Sequence, residues 1–110
     1  MIFITQGNYT QHAVAGMLDR PEDRSVETKK LMAAAGAKVL GYYFTFGVYD
    51  FILIGEAKDE QAWMSAIIVG AAGGGLSNLT TTIAVAPAQA KQAFVAAKGI
   101  RGSFRAAGDK

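Results

Sequence analysis

The sequence predicts an α+β domain whose elements run strand, helix, strand, strand, helix, strand, with a further helix at the C-terminus. Segments rich in β-branched and aromatic residues alternate with segments whose apolar residues recur at helical spacing. Glycine and proline mark most of the boundaries between them. The βαββαβ order is that of a ferredoxin-like sandwich with an antiparallel sheet. A chain of 110 residues has room for one such domain.

The N-terminal third of the chain is expected to form one strand and two helices. Residues 1–8 are rich in Ile, Phe and Thr, as strands are. Thr10 is expected to cap a short helix, and Pro21 to lie in the first turn of a second helix. That second helix should run to about Ala35 and stop at Gly36. Helical spacing predicts that its inner face consists of Thr28, Leu31, Met32 and Ala35.

Residues 38–46 and 49–56 are predicted to form a β-hairpin around the two-residue turn Gly47-Val48. Glycine at the first turn position suits a tight type II′ turn. Phe46 then faces Tyr49, and this register determines which side chains share a face. One face, mostly aromatic, is expected to carry Leu40, Tyr42, Phe44, Phe46, Tyr49, Phe51 and Leu53. The other is expected to carry Gly41, Tyr43, Thr45, Asp50, Ile52 and Ile54.

The aromatic face of this hairpin would be uncovered in a single chain. Antiparallel sheets usually show polar residues on a solvated face, and an apolar patch of this size is larger than monomers leave exposed. We therefore expect a second copy of the chain to cover it, sheet against sheet, with two-fold symmetry. On this register, Phe51→Asp should break the dimer by placing a charge in the interface.

The second half of the chain is expected to form a helix, a strand and a final helix. Asp59 is the predicted cap of the first of these helices, and the glycine run 73–75 its end. The glycine run follows a helix, whereas phosphate-binding loops precede one, so we interpret it as a helix terminator. Residues 79–86 are the predicted strand. The predicted inner face of the helix consists of Trp63, Ala66, Ile67 and Gly70.

Pro87 is expected to open the C-terminal helix, and Gly99 to end it. The apolar side of this helix should include Ala90, Phe94 and Ala97. The domain is thus expected to span residues 1–99, with residues 100–110 as a flexible basic tail. Residues 91–110 carry a net charge of +4, whereas residues 1–90 carry −2. A short basic end of this kind is more typical of a solvated tail than of a nucleic-acid interface.

Composition excludes several classes of site. The chain has no cysteine and one histidine, which excludes disulfides, thiolate metal sites, a cysteine nucleophile and a multi-histidine metal site within one chain. Neither a metal nor a cofactor is indicated. The N-terminus lacks the basic region of a secretory signal, and the apolar run 62–76 is too short and too rich in glycine and serine for a membrane span. The cytoplasm is therefore the expected location.

Five segments of the sequence resemble the GYD domain family, over about residues 1–95. The G-x-Y-D pattern opens an apolar strand of the hairpin, and the other segments lie at matching places in the element order. The resemblance implies a dimeric α/β barrel, in which two ferredoxin-like sheets close on each other, and it implies no particular reaction. The segments are Gly47-Val48-Tyr49-Asp50, Asn8-Tyr9-Thr10-Gln11, Pro21-Glu22-Asp23-Arg24, Gly36-Ala37-Lys38-Val39, and Thr81 with residues 84–86.

Five residues are candidates for chemistry. His12 has a side chain that titrates near neutrality and could be a general base, or simply a solvated residue of the first helical turn. Asp50 lies in an otherwise apolar strand, where it could be a general base or an acceptor for turn amides or for Thr45. Tyr9, Tyr42 and Tyr49 offer phenols that can orient a ligand, although aromatic stripes are more often core or interface.

The leading functional hypothesis is a homodimer, or a higher even-numbered oligomer, that binds a small organic molecule. Its modest apolar pocket would lie inside each half-barrel, with the five candidate residues as polar lining. Whether it is an enzyme stays open; catalysis would be cofactor-free proton transfer or oxygenation. The alternative is a non-catalytic module for assembly or protein interaction. Nucleic-acid association through the basic tail is a weaker third reading.

Overall fold

A computed structural model describes residues 1–109, and Lys110, the last residue of the predicted tail, lies outside the described residues. The elements follow the expected order, with two helices between the first two strands. They are β1 (Ile2–Tyr9), α1 (Gln11–Asp19), α2 (Ser25–Ala34), β2 (Lys38–Phe44), β3 (Phe51–Glu56), α3 (Glu60–Ala72), β4 (Leu76–Ala84) and α4 (Pro87–Ile100), followed by a 3₁₀ turn (Arg101–Ser103).

The four strands form one antiparallel sheet in the order β2-β3-β1-β4. Helices α2 and α3 pack against one face of this sheet and leave the other face without a covering helix. This arrangement confirms the ferredoxin-like α+β fold. The sheet of the single chain is open, so a closed barrel would need a second copy.

The core lies between the sheet and helices α2 and α3. Phe3, Met32 and Trp63 are almost fully buried there. The Trp63 indole stacks on Phe3 at 5.3 Å between ring centroids, and its N–H donates to Thr5 Oγ1 at 2.9 Å. Thr5 Oγ1 in turn lies 2.8 Å from Thr81 Oγ1, so the buried polar atoms of the core are paired.

The aromatic stripe of β2 and β3 faces the helices, so its expected position in a sheet–sheet interface is wrong. Phe51 and Leu53 are each 4% exposed, and both belong to the core. Phe51 pairs in register with Gly7, and its ring lies where a side chain at position 7 would be, so the missing side chain makes room for it. Since Phe51 is a core residue, Phe51→Asp should unfold the domain rather than dissociate a dimer.

The hairpin keeps the predicted register near its turn but has a longer connection. β2 ends at Phe44 and β3 begins at Phe51, so the two-residue turn is wrong. Asp50 is still bonded to both neighbours of β3, because its carbonyl accepts from the Thr45 amide at 2.8 Å and its own N–H donates to the Gly7 carbonyl at 2.8 Å. Phe46, expected to lie on the aromatic face, is fully exposed at the loop tip. A bulge at Leu40 also shifts the register by one residue toward the start of β2.

The predicted helix caps are correct for two helices and wrong for α2. The side chains of Thr10 and Asp59 accept from backbone amides of the first turns of α1 and α3. α2 begins at Ser25 and not at Pro21, because the Asp23 carboxylate accepts from the Ser25 amide and forms the turn that precedes the helix. The Ser25 side chain, and then this amide bond, lower the pKa of Asp23. Gly36 ends the segment with φ of +81°, as expected.

The uncovered face of the sheet is apolar in its centre. Its side chains alternate with the buried Phe3, Thr5, Phe51 and Leu53, so they point away from the helices. We call this surface the open face. Its members in β1, β3 and β2 are Ile2, Ile4, Gln6, Ile52, Ile54 and Tyr43, flanked in β4 by Thr80 and Thr82.

Helix α4 extends away from the sheet. None of its residues, all of which the structure describes, is buried, and its predicted apolar side leaves Phe94 77% exposed. The described residues measure 62 × 32 × 21 Å with a radius of gyration of 18.4 Å, whereas a compact chain of this length has a radius of about 13 Å. Across residues 1–109, no helix is both long and apolar enough to cross a membrane.

Candidate functional site

A cavity of about 750 Å³ lies between the sheet and helices α1, α2 and α3. This size is within the range of small-molecule sites. Its walls are mainly apolar. The sequence analysis placed a pocket inside the half-barrel, on the open face, whereas this cavity is on the helix side. Apolar residues of its walls include Met17, Leu31, Phe51, Leu53, Ile67 and Leu79.

Small residues create the cavity. Gly70, Gly73 and Gly75 line it where α3 ends, and Ala13 and Gly16 line it on α1. Larger side chains at these five positions would fill the space between the two helices and the sheet. The glycine run therefore terminates α3, as expected, and also leaves room beside it.

A pair of phenols forms the polar end of the cavity. The hydroxyl oxygens of Tyr9, at the end of β1, and Tyr42, on β2, lie 2.6 Å apart. The Tyr9 ring packs at 5.1 Å from Phe44 and 5.2 Å from Phe51, which fixes its orientation. Burial, and then the hydrogen bond to Tyr42, raise the pKa of Tyr9 well above its ordinary value. Tyr9 is therefore a neutral hydrogen-bonding group at physiological pH and lacks the phenolate that a general base would need.

The raised pKa of Tyr9 has a consequence for stability at alkaline pH. The unfolded chain ionises this phenol above about pH 10, whereas the folded protein keeps it protonated. Its contribution to stability is thus complete below pH 10 and is lost as pH rises further. We expect the free energy of unfolding of Tyr9→Phe to fall less steeply between pH 10 and 11.5 than that of the wild type, measured by urea titration.

The control for this experiment is Phe46→Tyr, which adds a phenol at the fully exposed tip of the β2–β3 loop. We expect its stability to follow the wild-type pH dependence. Parallel curves for the wild type and Tyr9→Phe would contradict the assignment of a raised pKa to Tyr9.

Charged side chains surround the mouth of the cavity. Arg24 Nη1 donates to Glu22 Oε1 at 2.6 Å, and both residues line the cavity on the connection between α1 and α2. Arg20 and Glu27 lie at the same rim. The Arg24 side chain is 38% exposed, so this ion pair contributes little to stability. Its positive charge nevertheless acts on Tyr9 and partly offsets the effect of burial on the pKa of that phenol.

The five sequence-predicted candidates do not form one site. Tyr9 and Tyr42 meet in the cavity. His12 is exposed on the first turn of α1 and is not part of the cavity wall. Tyr49 lies on the other side of the sheet, where its hydroxyl is 3.1 Å from Thr80 Oγ1 on the open face.

Asp50 serves as a hydrogen-bond acceptor at the end of β1. Its Oδ2 accepts from the Tyr9 amide at 2.9 Å, rather than from a turn amide or from Thr45. Thr45 instead donates its hydroxyl to the Tyr49 carbonyl at 2.6 Å. Asp50 thereby joins the hairpin loop to the strand that carries Tyr9.

This geometry predicts different outcomes for two substitutions of Asp50. In Asp50→Asn, the amide oxygen can still accept from Tyr9, and we expect the free energy of unfolding to stay within about 0.5 kcal/mol of wild type. In Asp50→Ala, the Tyr9 amide loses its partner, which costs about 1–2 kcal/mol. Urea denaturation measures both. A loss in Asp50→Asn as large as that in Asp50→Ala would show that the charge itself is required.

The sequence analysis missed the residues at the cavity mouth. Arg24 and Glu22 belong to a segment that was noted for its family resemblance and as the expected start of a helix. The sequence did show charged residues at a break between two helices, which could have indicated a cavity mouth. The same pattern is typical of a solvated turn, so it did not distinguish the two. Within residues 1–109, no group of three or more His, Asp or Glu side chains could hold a metal ion.

Comparisons with known proteins bear on the fold and the family. The crystal structure of FFRP-DM1 is similar with a TM-score of 0.50 and 16% sequence identity, over 76% of this chain and 97% of that chain. At this identity, the likeness supports the fold alone. No curated protein sequence matches the chain. The family model of the GYD domain matches residues 3–94, which is most of the chain, and the protein therefore belongs to the GYD domain family.

Proposed function

We propose that this GYD protein is a homodimer, or a larger even-numbered oligomer, whose subunits each bind a small organic molecule. The observation that carries the proposal is the cavity of about 750 Å³ between the sheet and the helices. Apolar walls with a few convergent polar groups are the usual composition of a small-molecule site. Here the polar groups are the Tyr9–Tyr42 pair and Arg24.

The open face supports the oligomeric part of the proposal. Ile4 lies in register with Ile54 on one side and Thr82 on the other, so the centre of the sheet presents branched side chains to solvent in a single chain. A second copy packed on this face with two-fold symmetry would remove them from water. Two sheets so packed would enclose the barrel that the family resemblance implies.

The geometry supports binding better than general-base catalysis. His12 is outside the cavity, and the Asp50 carboxylate already accepts from the Tyr9 amide. The phenol pair is suited to donate a hydrogen bond rather than to remove a proton. If the protein is an enzyme, cofactor-free chemistry would use these phenols to stabilise developing negative charge on an oxygen of the substrate.

A second candidate function is an interaction module without catalysis. The observation that favours it is α4, whose apolar residues Phe94 and Val95 are 77% and 65% exposed. A helix that exposes large apolar side chains commonly packs against a partner. The boundary at residue 99 and the flexible basic tail stay predictions of the sequence analysis.

Native mass spectrometry of the untagged protein tests the main proposal, because it reads oligomer mass and retained ligand together. We expect a dimer, or an even multiple of it, that carries additional mass. A bare even-numbered oligomer would favour the interaction module. A monomer would contradict the proposed cover of the open face.

A further inference from the structure

The phenol pair has one hydrogen-bond donor left to offer. Two hydroxyls that bond to each other use one of their two hydrogens, and each phenol can also accept. In the described part of the chain, neither the Tyr9 nor the Tyr42 hydroxyl has a further protein partner. The remaining O–H therefore suits an acceptor atom of a ligand at this end of the cavity.

Arg24 makes this end of the cavity favourable for a negatively charged acceptor. A guanidinium has five N–H donors. The bond from Arg24 Nη1 to Glu22 Oε1 uses one of them, so the others can donate to a ligand. The bond to Glu22 also shows that a carboxylate can approach Arg24 at 2.6 Å from this side. A ligand carboxylate could thus accept from the phenol pair and from Arg24, or replace Glu22 on the guanidinium.

The charge balance of the rim favours a single negative charge over a phosphate dianion. Arg20 and Arg24 are offset by Glu22 and Glu27, so the rim has no net positive charge. A dianion would meet the repulsion of both glutamates, whereas one carboxylate needs one guanidinium.

The rest of the cavity favours an apolar body for the ligand. Leu31, Met32, Ile67 and Leu76 line it from three elements, opposite the aromatic rings of Phe51 and Tyr42. The hydroxyl of Thr5, the buried polar group of this wall, is already bonded to Trp63 and Thr81. Thr28 supplies the other aliphatic hydroxyl of the lining, so a sugar or a nucleoside would still place most of its hydroxyls against surfaces that offer them no partners.

We propose that the cavity binds an apolar monocarboxylate, an inference that rests on the proposed function. The carboxylate would bind at Arg24 and the phenol pair, and the apolar body would lie between α2, α3 and the sheet. The class includes fatty and aromatic carboxylic acids.

The test is calorimetric titration of the full-length protein with 2-naphthoate and octanoate, each beside its neutral amide. We expect the carboxylates to bind at least tenfold more tightly than the amides. Arg24→Gln should weaken carboxylate binding about tenfold and leave amide binding unchanged, as expected for one charge-assisted contact. Glu22→Gln should tighten carboxylate binding, because it removes the competing acceptor.

Arg105→Gln is the matched control, since Arg105 lies in the C-terminal segment outside this cavity, and thermal unfolding of each variant checks that the fold is kept. Amides that bind as tightly as the acids, with no effect of Arg24→Gln, would overturn the carboxylate inference and leave the small-molecule proposal standing. Binding of none of the four probes, with no shift of Leu31 or Ile67 methyl resonances, would overturn both.

Discussion

Ile4→Glu is expected to convert the proposed dimer into a folded monomer. Ile4 lies near the centre of the open face, opposite Ile54 in β3 and Thr82 in β4. In a two-fold symmetric interface, one substitution introduces a carboxylate from each subunit. Burial of unpaired carboxylates costs several kcal/mol per ion, so we expect the dimer Kd to rise at least about a thousandfold, or roughly 4 kcal/mol. Sedimentation velocity over a range of concentrations measures the change.

Two control variants separate loss of the interface from loss of the fold. Leu18→Glu places the same new charge on α1, where Leu18 is 79% exposed on the helix side of the sheet, and it should stay dimeric. Phe51→Asp places a charge in the core and should unfold the chain, as judged by circular dichroism. A folded Ile4→Glu variant that remains dimeric would show that the open face is not the interface.

The sequence predicted the order of the elements well because each boundary depends on local chemistry. Thr10 and Asp59 cap their helices as expected, and Gly36 has the positive φ that favours glycine. The β2–β3 register near the turn also follows from the sequence, since Tyr42 opposes Leu53 and Phe44 opposes Phe51. These features depend on neighbouring residues and not on contacts with distant segments of the chain.

The side of the sheet that each residue faces was not predictable in the same way. Both faces of the hairpin are apolar, so periodicity alone does not say which one the helices cover. The answer depends on tertiary contacts such as Phe51 against Gly7 and Trp63 against Phe3, which join segments far apart in sequence. The Asp50 carboxylate likewise bonds to a distant segment, the Tyr9 amide at the end of β1, which the hairpin sequence alone does not indicate.

The cavity was missed for a related reason. It exists because small residues from two helices leave a space over the sheet, and no single segment reveals that space. Of the five candidates, Tyr9 and Tyr42 meet only because β1 and β2 both flank β3 and send these side chains to its helix side. Arg24 reaches the same region from a loop that the sequence analysis regarded as a helix start.

Gly55→Ala is expected to cause a large loss of stability for a single added methyl group. Gly55 is buried in β3, directly below the indole of Trp63. A Cβ at this position would lie 2.5 Å from the Lys38 carbonyl oxygen and 2.6 Å from Trp63 Cζ3, closer than real Cβ contacts allow. The backbone of β2 cannot move without breaking its ladder with β3, and the indole cannot move without losing its bond to Thr5.

We therefore expect Gly55→Ala to lower the free energy of unfolding by about 3 kcal/mol, at the upper end of overpacking costs, measured by urea denaturation. Gly99→Ala in α4 is the matched control, because a Cβ there meets no atom within 4 Å. Its stability should equal that of wild type or exceed it by up to about 1 kcal/mol, since alanine favours a helix over glycine. Trp63→Phe in the Gly55→Ala background removes the clashing part of the indole and should recover part of the loss. Equal stability of Gly55→Ala and wild type would contradict the packing of Trp63 on the sheet, because that packing leaves no room for the methyl group.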